Sequence, residues 1–148
     1  MAREAILEIN CSRYSKKIID VITLLNKVGW KYCDEEKNVE YLPVGDNDDY
    51  NWQKKAISER QLQELIDEKQ GNSERVGINL YYQCSGVGVT ILAKNTKEII
   101  FDLCFNRKTV DKTRESITNI GWYFDNIVQK LREEKCPIDY IKFEDYVD

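Results

Sequence analysis

Between residues 76 and 105, apolar and polar positions alternate with a period of two in three successive segments. The alternation is clearest from Val76 to Cys84, and it returns at 87–93 and 99–105 after short polar turns. A period of two places every second side chain on the same face of a strand, and short turns join antiparallel neighbours. The pattern therefore predicts an antiparallel meander over residues 76–105 with one strongly apolar face.

Three other segments repeat apolar residues at helical spacing and predict helices at about 13–28, 59–70 and 116–134. The second helix is introduced by Ser58-Glu59-Arg60-Gln61, a capping box that satisfies free N–H groups of the first helical turn. The third helix carries the clearest apolar stripe, and we expect that stripe to cover the meander. The stripe consists of Ile117, Ile120, Phe124, Ile127, Val128 and Leu131.

Shorter strands are predicted outside the meander. Residues 30–33 and 39–42 flank the polar turn 34–38 and predict an N-terminal hairpin, and residues 52–57 would add a third strand. Residues 5–9 form either a first strand or the approach to the first helix, and residues 138–147 could return as a last strand. Hairpin-linked strands mixed with helices indicate a single α+β domain over residues 1–148, with a mainly antiparallel sheet packed by about three helices.

Composition narrows the class of function. The 22 basic and 26 acidic residues give a net charge of −4, whereas nucleic acids and anionic membranes require a basic surface. We therefore expect neither of those partners. The chain contains no histidine, which removes the commonest general base and most zinc sites. We expect a non-catalytic protein without a cofactor or a bound metal.

The five cysteines are widely spaced and odd in number. This usage is typical of a reduced, cytoplasmic compartment, and it favours thiols that act as small buried apolar groups.

The acidic residues are concentrated in one segment. Residues 33–50 hold seven acidic residues and one basic residue, so this segment carries −6 while the remainder sums to +2. Aromatic anchors among carboxylates are typical of a surface that binds a basic protein. The alternative is an ordinary solvated loop whose aromatic residues belong to the core. The candidate contact residues are Asp46, Asp48, Asp49, Tyr50, Trp52, Glu35 and Glu36.

Other motifs have different explanations. The glycine-rich segment 85–89 lies between two predicted strands, so it predicts a hairpin turn and not a phosphate-binding loop. Asp102 and Asp125 could serve a histidine-free enzyme, but only if they share a pocket with shifted pKa values; we expect Asp102 on the solvent side of its strand. Nucleic-acid binding would require a basic patch with exposed aromatics. The residues available for that patch are Arg107, Lys108, Lys112 and Arg114.

Two segments, 100–107 (Ile-Phe-Asp-Leu-Cys-Phe-Asn-Arg) and 118–124 (Thr-Asn-Ile-Gly-Trp-Tyr-Phe), form a predicted strand followed by a helix in a small acidic chain. They resemble the corresponding region of immunity proteins of bacterial polymorphic and contact-dependent growth-inhibition toxin systems. The resemblance implies a cytoplasmic inhibitor that binds and neutralises a cognate toxin domain, often a nuclease, and it transfers no residue roles. The alternative is another non-catalytic inhibitor or adaptor that binds a basic host or phage protein. The oligomeric state stays open.

Overall fold

Over residues 3–83, 85–113 and 115–147, which the computed structural model describes, the chain forms one eight-stranded antiparallel sheet with helices on one face. The predicted α+β class is confirmed. The elements are β1 (Arg3–Ile9), α1 (Ile18–Lys27), β2 (Trp30–Lys31), β3 (Val39–Tyr41), β4 (Gln53–Lys55), α2 (Glu59–Gly71), β5 (Val76–Tyr82), β6 (Gly88–Ala93), β7 (Ile99–Phe105), α3 (Ile120–Tyr123), a π-helical stretch (Phe124–Val128), α4 (Gln129–Glu133) and β8 (Ile141–Val147).

The strands follow the order β4-β3-β5-β6-β7-β1-β8. The predicted meander is confirmed, since Ile78 of β5 lies opposite Ile91 of β6, which lies opposite Phe101 of β7. The glycine-rich segment connects β5 to β6, as predicted. Both terminal segments are strands: β1 pairs with β7, and β8 pairs with β1.

The strands on either side of turn 34–38 are present, but their pairing differs from the predicted hairpin. Trp30 of β2 lies opposite Tyr82, and Tyr41 of β3 lies opposite Ile78, so both short strands pair with β5. The hairpin of this region is β3–β4. Trp30 accounts for the difference, because its ring is fully buried and its indole N–H donates to the backbone oxygen of Asn126 at 2.7 Å. These contacts fix β2 against β5 beneath the helices.

The first and third helices begin later in the chain than predicted, and the second begins at the predicted residue. The first helix begins at Ile18, because Ser15 forms a turn in which its hydroxyl accepts from the Lys17 amide and donates to Asp20. The second helix has the expected capping box at Ser58 and Gln61.

The third helix begins at Ile120 and not at residue 116. Its predicted stripe fails at the start, where Ile117 and Ile120 are exposed, while Tyr123 is fully buried. A π-helical stretch holds an extra residue in its turn, so the buried face runs instead through Tyr123, Ile127 and Leu131.

The hydrophobic core lies between the helices and one face of the sheet. Alternate residues of the central strands, such as Leu7, Ile78, Ile91 and Phe101, join buried helix residues in one cluster. No helix in the described part of the chain is both long and apolar enough to cross a bilayer.

Candidate protein-binding site

The side chains that alternate with the core residues point to the opposite side of the sheet, which we call the open face. In one row across it, Asn79, Thr90, Asp102, Ile6 and Glu144 lie on five adjacent strands. Carboxylates outnumber lysines among the charged side chains of this face, and its uncharged members include several apolar and aromatic side chains. The charged residues include Glu4, Glu8, Glu40, Asp102, Glu144, Lys31, Lys54 and Lys142.

Residues 42–52, the aromatic loop, fold back onto the open face at Gly77. A Cβ atom at Gly77 would lie 2.6 Å from Leu42 Cδ1 and 3.0 Å from Trp52 Cη2. The missing side chain is therefore what lets Leu42, which is fully buried, and Trp52 pack directly on the β5 backbone.

Asp46 shapes the aromatic loop from within. Its carboxylate accepts hydrogen bonds from the backbone N–H groups of Asp49, Tyr50 and Asn51 at 2.7–3.0 Å, and the residue is only 5% exposed. Burial tends to raise the pKa of Asp46, but these three donors outweigh it and hold the pKa below its ordinary value. The expectation that Asp46 contacts a partner is corrected, because its carboxylate is committed to its own loop.

Lys69 of α2 anchors the same loop. Its side chain is fully buried, and Nζ donates to the backbone oxygens of Pro43 at 2.7 Å and Asp46 at 2.6 Å. Glu74 Oε1 lies 3.5 Å from Nζ and also accepts from the Gly45 amide. Burial lowers the pKa of Lys69, against the opposing effect of Glu74.

A groove of about 350 Å³ lies where the aromatic loop meets the open face. Three of its side chains form a hydrogen-bonded chain: Thr90 Oγ1 donates to Asn79 Oδ1 at 2.7 Å, and Asn79 Nδ2 donates to Glu40 Oε1 at 3.0 Å. Two aromatic residues of the loop form part of its walls. The residues that line the groove are Glu40, Tyr50, Trp52, Asn79, Thr90, Leu92, Asp102 and Phe105.

Asp102 is the unusual carboxylate of this groove. It is half-buried, and it has no hydrogen-bond or ion-pair partner among residues 3–83, 85–113 and 115–147. Burial raises its pKa, and the nearby charge of Glu4 raises the pKa further.

The candidate contact residues fall into three groups. Tyr50 and Trp52 line the groove, and Asp48 and Asp49 are exposed beside them in the loop. Asp46 is buried, as described above.

Glu35 and Glu36 form the third group, which is exposed in turn 34–38 at the opposite end of the β3–β4 hairpin. A three-residue ladder, roughly 10 Å long, separates them from the aromatic loop. The structure therefore does not bring all the candidates into one patch.

The structure also changes the charge balance around this hairpin. Strand β4 brings Lys54 and Lys55 alongside β3, and Lys54 Nζ lies 3.4 Å from Asp34. Residues 33–55 hold seven acidic and three basic residues, which gives −4 in place of the −6 counted up to residue 50. The surface around the hairpin is therefore less acidic than the count up to residue 50 indicates.

Sequence reasoning missed most of the open face. Its apolar residues Ile6, Leu92 and Ile100 occupy the polar phase of their strands, between carboxylates such as Glu8 and Asp102. The sequence did contain a signal for this face, namely apolar residues at the solvent-facing positions of successive strands. Their convergence depends on β1 pairing with β7, which no local pattern specifies.

The proposed carboxylate pair is separated by the sheet. Asp102 lies on the open face, whereas Asp125 is exposed on the π-helical stretch in the helix layer. The two side chains do not share a pocket, so this arrangement gives no support to a carboxylate enzyme built on them. Among the described residues, no three cysteine or acidic side chains converge as metal ligands would.

Two of the four basic candidates, Arg107 and Lys112, line a larger cleft of about 830 Å³ that also contains Phe105 and Tyr81. Arg107 is occupied by the loop that follows β7, since Nη1 donates to the Ser116 oxygen and the Thr118 hydroxyl. Lys112 lines the cleft, Lys108 lies 5.5 Å from the Trp122 ring centroid, and Arg114 lies outside the described residues.

The cysteines only partly match their expected role. Cys11 and Cys136 are buried, Cys33 is half-buried and Cys104 is exposed, all as free thiols. Cys84 lies outside the described residues.

No protein-family model, curated protein or solved structure matches the chain significantly.

Proposed function

We propose that the chain is a non-catalytic binding protein that docks a basic protein domain on its open face and aromatic loop. The observation that carries the proposal is the groove in which Tyr50 and Trp52 meet Asp102, a carboxylate that no described residue pairs with. Aromatic side chains supply desolvated anchors for a partner, and carboxylates around them accelerate encounter with a positive surface.

The rigidity of the aromatic loop supports the proposal. Asp46 closes the loop with three hydrogen bonds, and Lys69 ties it to α2 with two more. A surface that is already ordered loses little conformational entropy on binding, so more of the contact energy appears as affinity.

The partner that fits both this surface and the resemblance to immunity proteins is a toxin domain with nuclease activity. A nuclease is basic around its cleft because it holds phosphates, and an acidic face bearing aromatic anchors complements such a cleft. Neutralising a lethal enzyme requires a dissociation constant near 1 nM, about −12 kcal/mol. The second candidate is an inhibitor or adaptor that binds a basic host or phage protein on the same face.

The test begins with the partner that co-purifies with the chain from the native host. Expressing that partner alone should arrest growth, and co-expressing the chain should restore it. A partner that leaves growth unchanged would favour the adaptor over the toxin inhibitor.

Charge reversal tests the docking surface. The double variant Asp48→Lys/Asp49→Lys should slow association with the partner by about tenfold or more and flatten its salt dependence. The matched control is Glu64→Lys/Glu68→Lys, which makes the same charge change at exposed positions of α2. Equal rates for both double variants would remove this surface from the proposal.

A further inference from the structure

We propose that the groove receives one arginine side chain of the partner, with Asp102 as its counter-ion. This inference rests on the proposed function and specifies which chemical group of the basic partner enters the site.

Asp102 has no cationic partner among the described residues. Its carboxylate is half-buried beside the negative charge of Glu4, and no positive group among the described residues pairs with it. Removing an ionised carboxylate from water without a counter-charge is unfavourable. A guanidinium group in the groove would restore the lost interaction.

The cations nearest this face are engaged elsewhere. Lys54 pairs with Asp34 at 3.4 Å, and Lys142 pairs with Glu144 at 2.9 Å. Arg75 stacks on the Tyr50 ring, 5.7 Å from its centroid, and its Nη1 donates to the Tyr50 hydroxyl. None of these three cations pairs with Asp102, so a guanidinium from a partner would supply the missing counter-charge.

The walls of the groove suit a guanidinium better than a bare ammonium. Trp52, Tyr50 and Phe105 offer aromatic surfaces, on which a planar guanidinium stacks while it pairs with a carboxylate. Leu92 provides apolar contact for the methylene stem of the same side chain. The chain already uses this chemistry once, where Arg75 stacks on Tyr50.

The size and the acceptors of the groove fit a single side chain. Its volume of about 350 Å³ lies near the lower end, about 300 Å³, of sites for small ligands, which is the size of a groove that one side chain fills. Glu40 commits Oε1 to Asn79. Asp102 is therefore the carboxylate best placed to hold the guanidinium.

A peptide titration of the full-length, isotopically labelled chain tests the inference. The probe is a short neutral peptide with one arginine, and its matched control contains citrulline, which has nearly the same shape without the charge. The arginine peptide should shift the Trp52 indole N–H resonance in a saturable way. Trp30 and Trp122 are internal controls, because they pack against each other with ring centroids 6.2 Å apart, and Trp30 is fully buried in the core.

The citrulline peptide should bind at least about tenfold more weakly, since it cannot pair with a carboxylate. An equal response to both peptides, or shifts as large at Trp30 and Trp122 as at Trp52, would overturn the inference.

Two variants separate this inference from the proposed function. Asp102→Asn should weaken binding of the arginine peptide and of the partner by about tenfold or more. Glu64→Gln is the matched control on α2, away from the open face, where Arg60 pairs with the exposed carboxylate at 3.1 Å, and it should change neither affinity by more than about twofold.

If Asp102→Asn keeps full affinity for the partner while Asp48→Lys/Asp49→Lys loses it, the docking surface stands and the arginine pocket is rejected. If both variants keep full affinity, the surface and the pocket are rejected together.

Discussion

Replacing Lys69 by methionine should loosen the aromatic loop and lower the stability of the whole chain. Nζ of Lys69 is the donor for the backbone oxygens of Pro43 and Asp46, and it lies 3.5 Å from Glu74. Methionine keeps much of the apolar stem but offers no donor, so two carbonyl groups and a partly buried carboxylate lose their partner.

The magnitude follows from these contacts. Each hydrogen bond from a charged donor contributes about 1.5–3 kcal/mol, so the two bonds to carbonyl groups represent about 3–6 kcal/mol. Part of this is offset, because methionine does not bear the desolvation penalty of a buried ammonium. The half-buried Pro43 oxygen can also regain water in a loosened loop. We expect a net loss of about 2–4 kcal/mol in the free energy of unfolding.

Urea denaturation of the variant and of Lys55→Met measures this loss. Lys55 is an exposed lysine on β4, so its substitution should change the free energy of unfolding by less than about 0.5 kcal/mol. In a thermal scan, Lys69→Met should melt about 5–15 °C lower. Hydrogen exchange should accelerate at the Tyr50 and Asn51 amides, which are bonded to Asp46. If Lys69→Met is as stable as Lys55→Met, Lys69 does not anchor the loop.

Three further predictions concern the open face. Gly77→Ala should lower the free energy of unfolding by about 1–3 kcal/mol in urea denaturation, because the new Cβ would lie 2.6 Å from Leu42 Cδ1. Asp102→Asn should remove a pH-dependent contribution to stability. The pKa of Asp102 is raised on folding, so the folded chain binds more protons between the ordinary and the raised pKa, and stability rises as the pH falls through that interval. Cys104 should be alkylated in the folded chain, at a rate that still increases above pH 9.0, since burial raises the pKa of its thiol above that value.

Each of these predictions has an internal reference. Gly71→Ala should be neutral or stabilising, because a Cβ there meets nothing within 4 Å; equal losses for Gly71→Ala and Gly77→Ala would contradict the close packing. The free energy of unfolding of the wild type should fall relative to that of Asp102→Asn as the pH rises from about 4 to about 7. A difference that is independent of pH would contradict this prediction. Cys11 and Cys136 are buried and should react only after unfolding.

Some elements were predictable because local periodicity records which face of a segment is buried. The meander strands have a period of two and only short turns between them, so both the strands and their order followed from the pattern. The capping box at Ser58 and Gln61 was equally local. The third helix shows the limit: its sequence fits a regular α-helical stripe from Ile117, but the helix begins only at Ile120, which leaves Ile117 exposed, and a π-helical stretch follows the buried Tyr123.

The candidate site was predictable only in its aromatic half. Tyr50 and Trp52 stood beside an acidic segment, and both line the groove. The sequence did not show that the Asp46 side chain bonds to its own loop, because such an aspartate cannot be distinguished by sequence from one that faces a partner. The sequence also did not show that Glu35 lies away from the groove, because a count of charges along the chain does not reveal that β3 and β4 pair between them.

The α+β class, the meander and the approximate ranges of the helices could be read from the residue pattern, because each depends on contacts between residues close in the chain. The pairing of β2 and β3 with β5, and the extension of the sheet beyond β7 by β1 and β8, depended on the fold as a whole. These pairings join segments far apart in sequence, and their register sets which side chains share a face. The groove exists for that reason: its residues come from β3, β5, β6, β7 and the aromatic loop, and only the folded sheet brings them together.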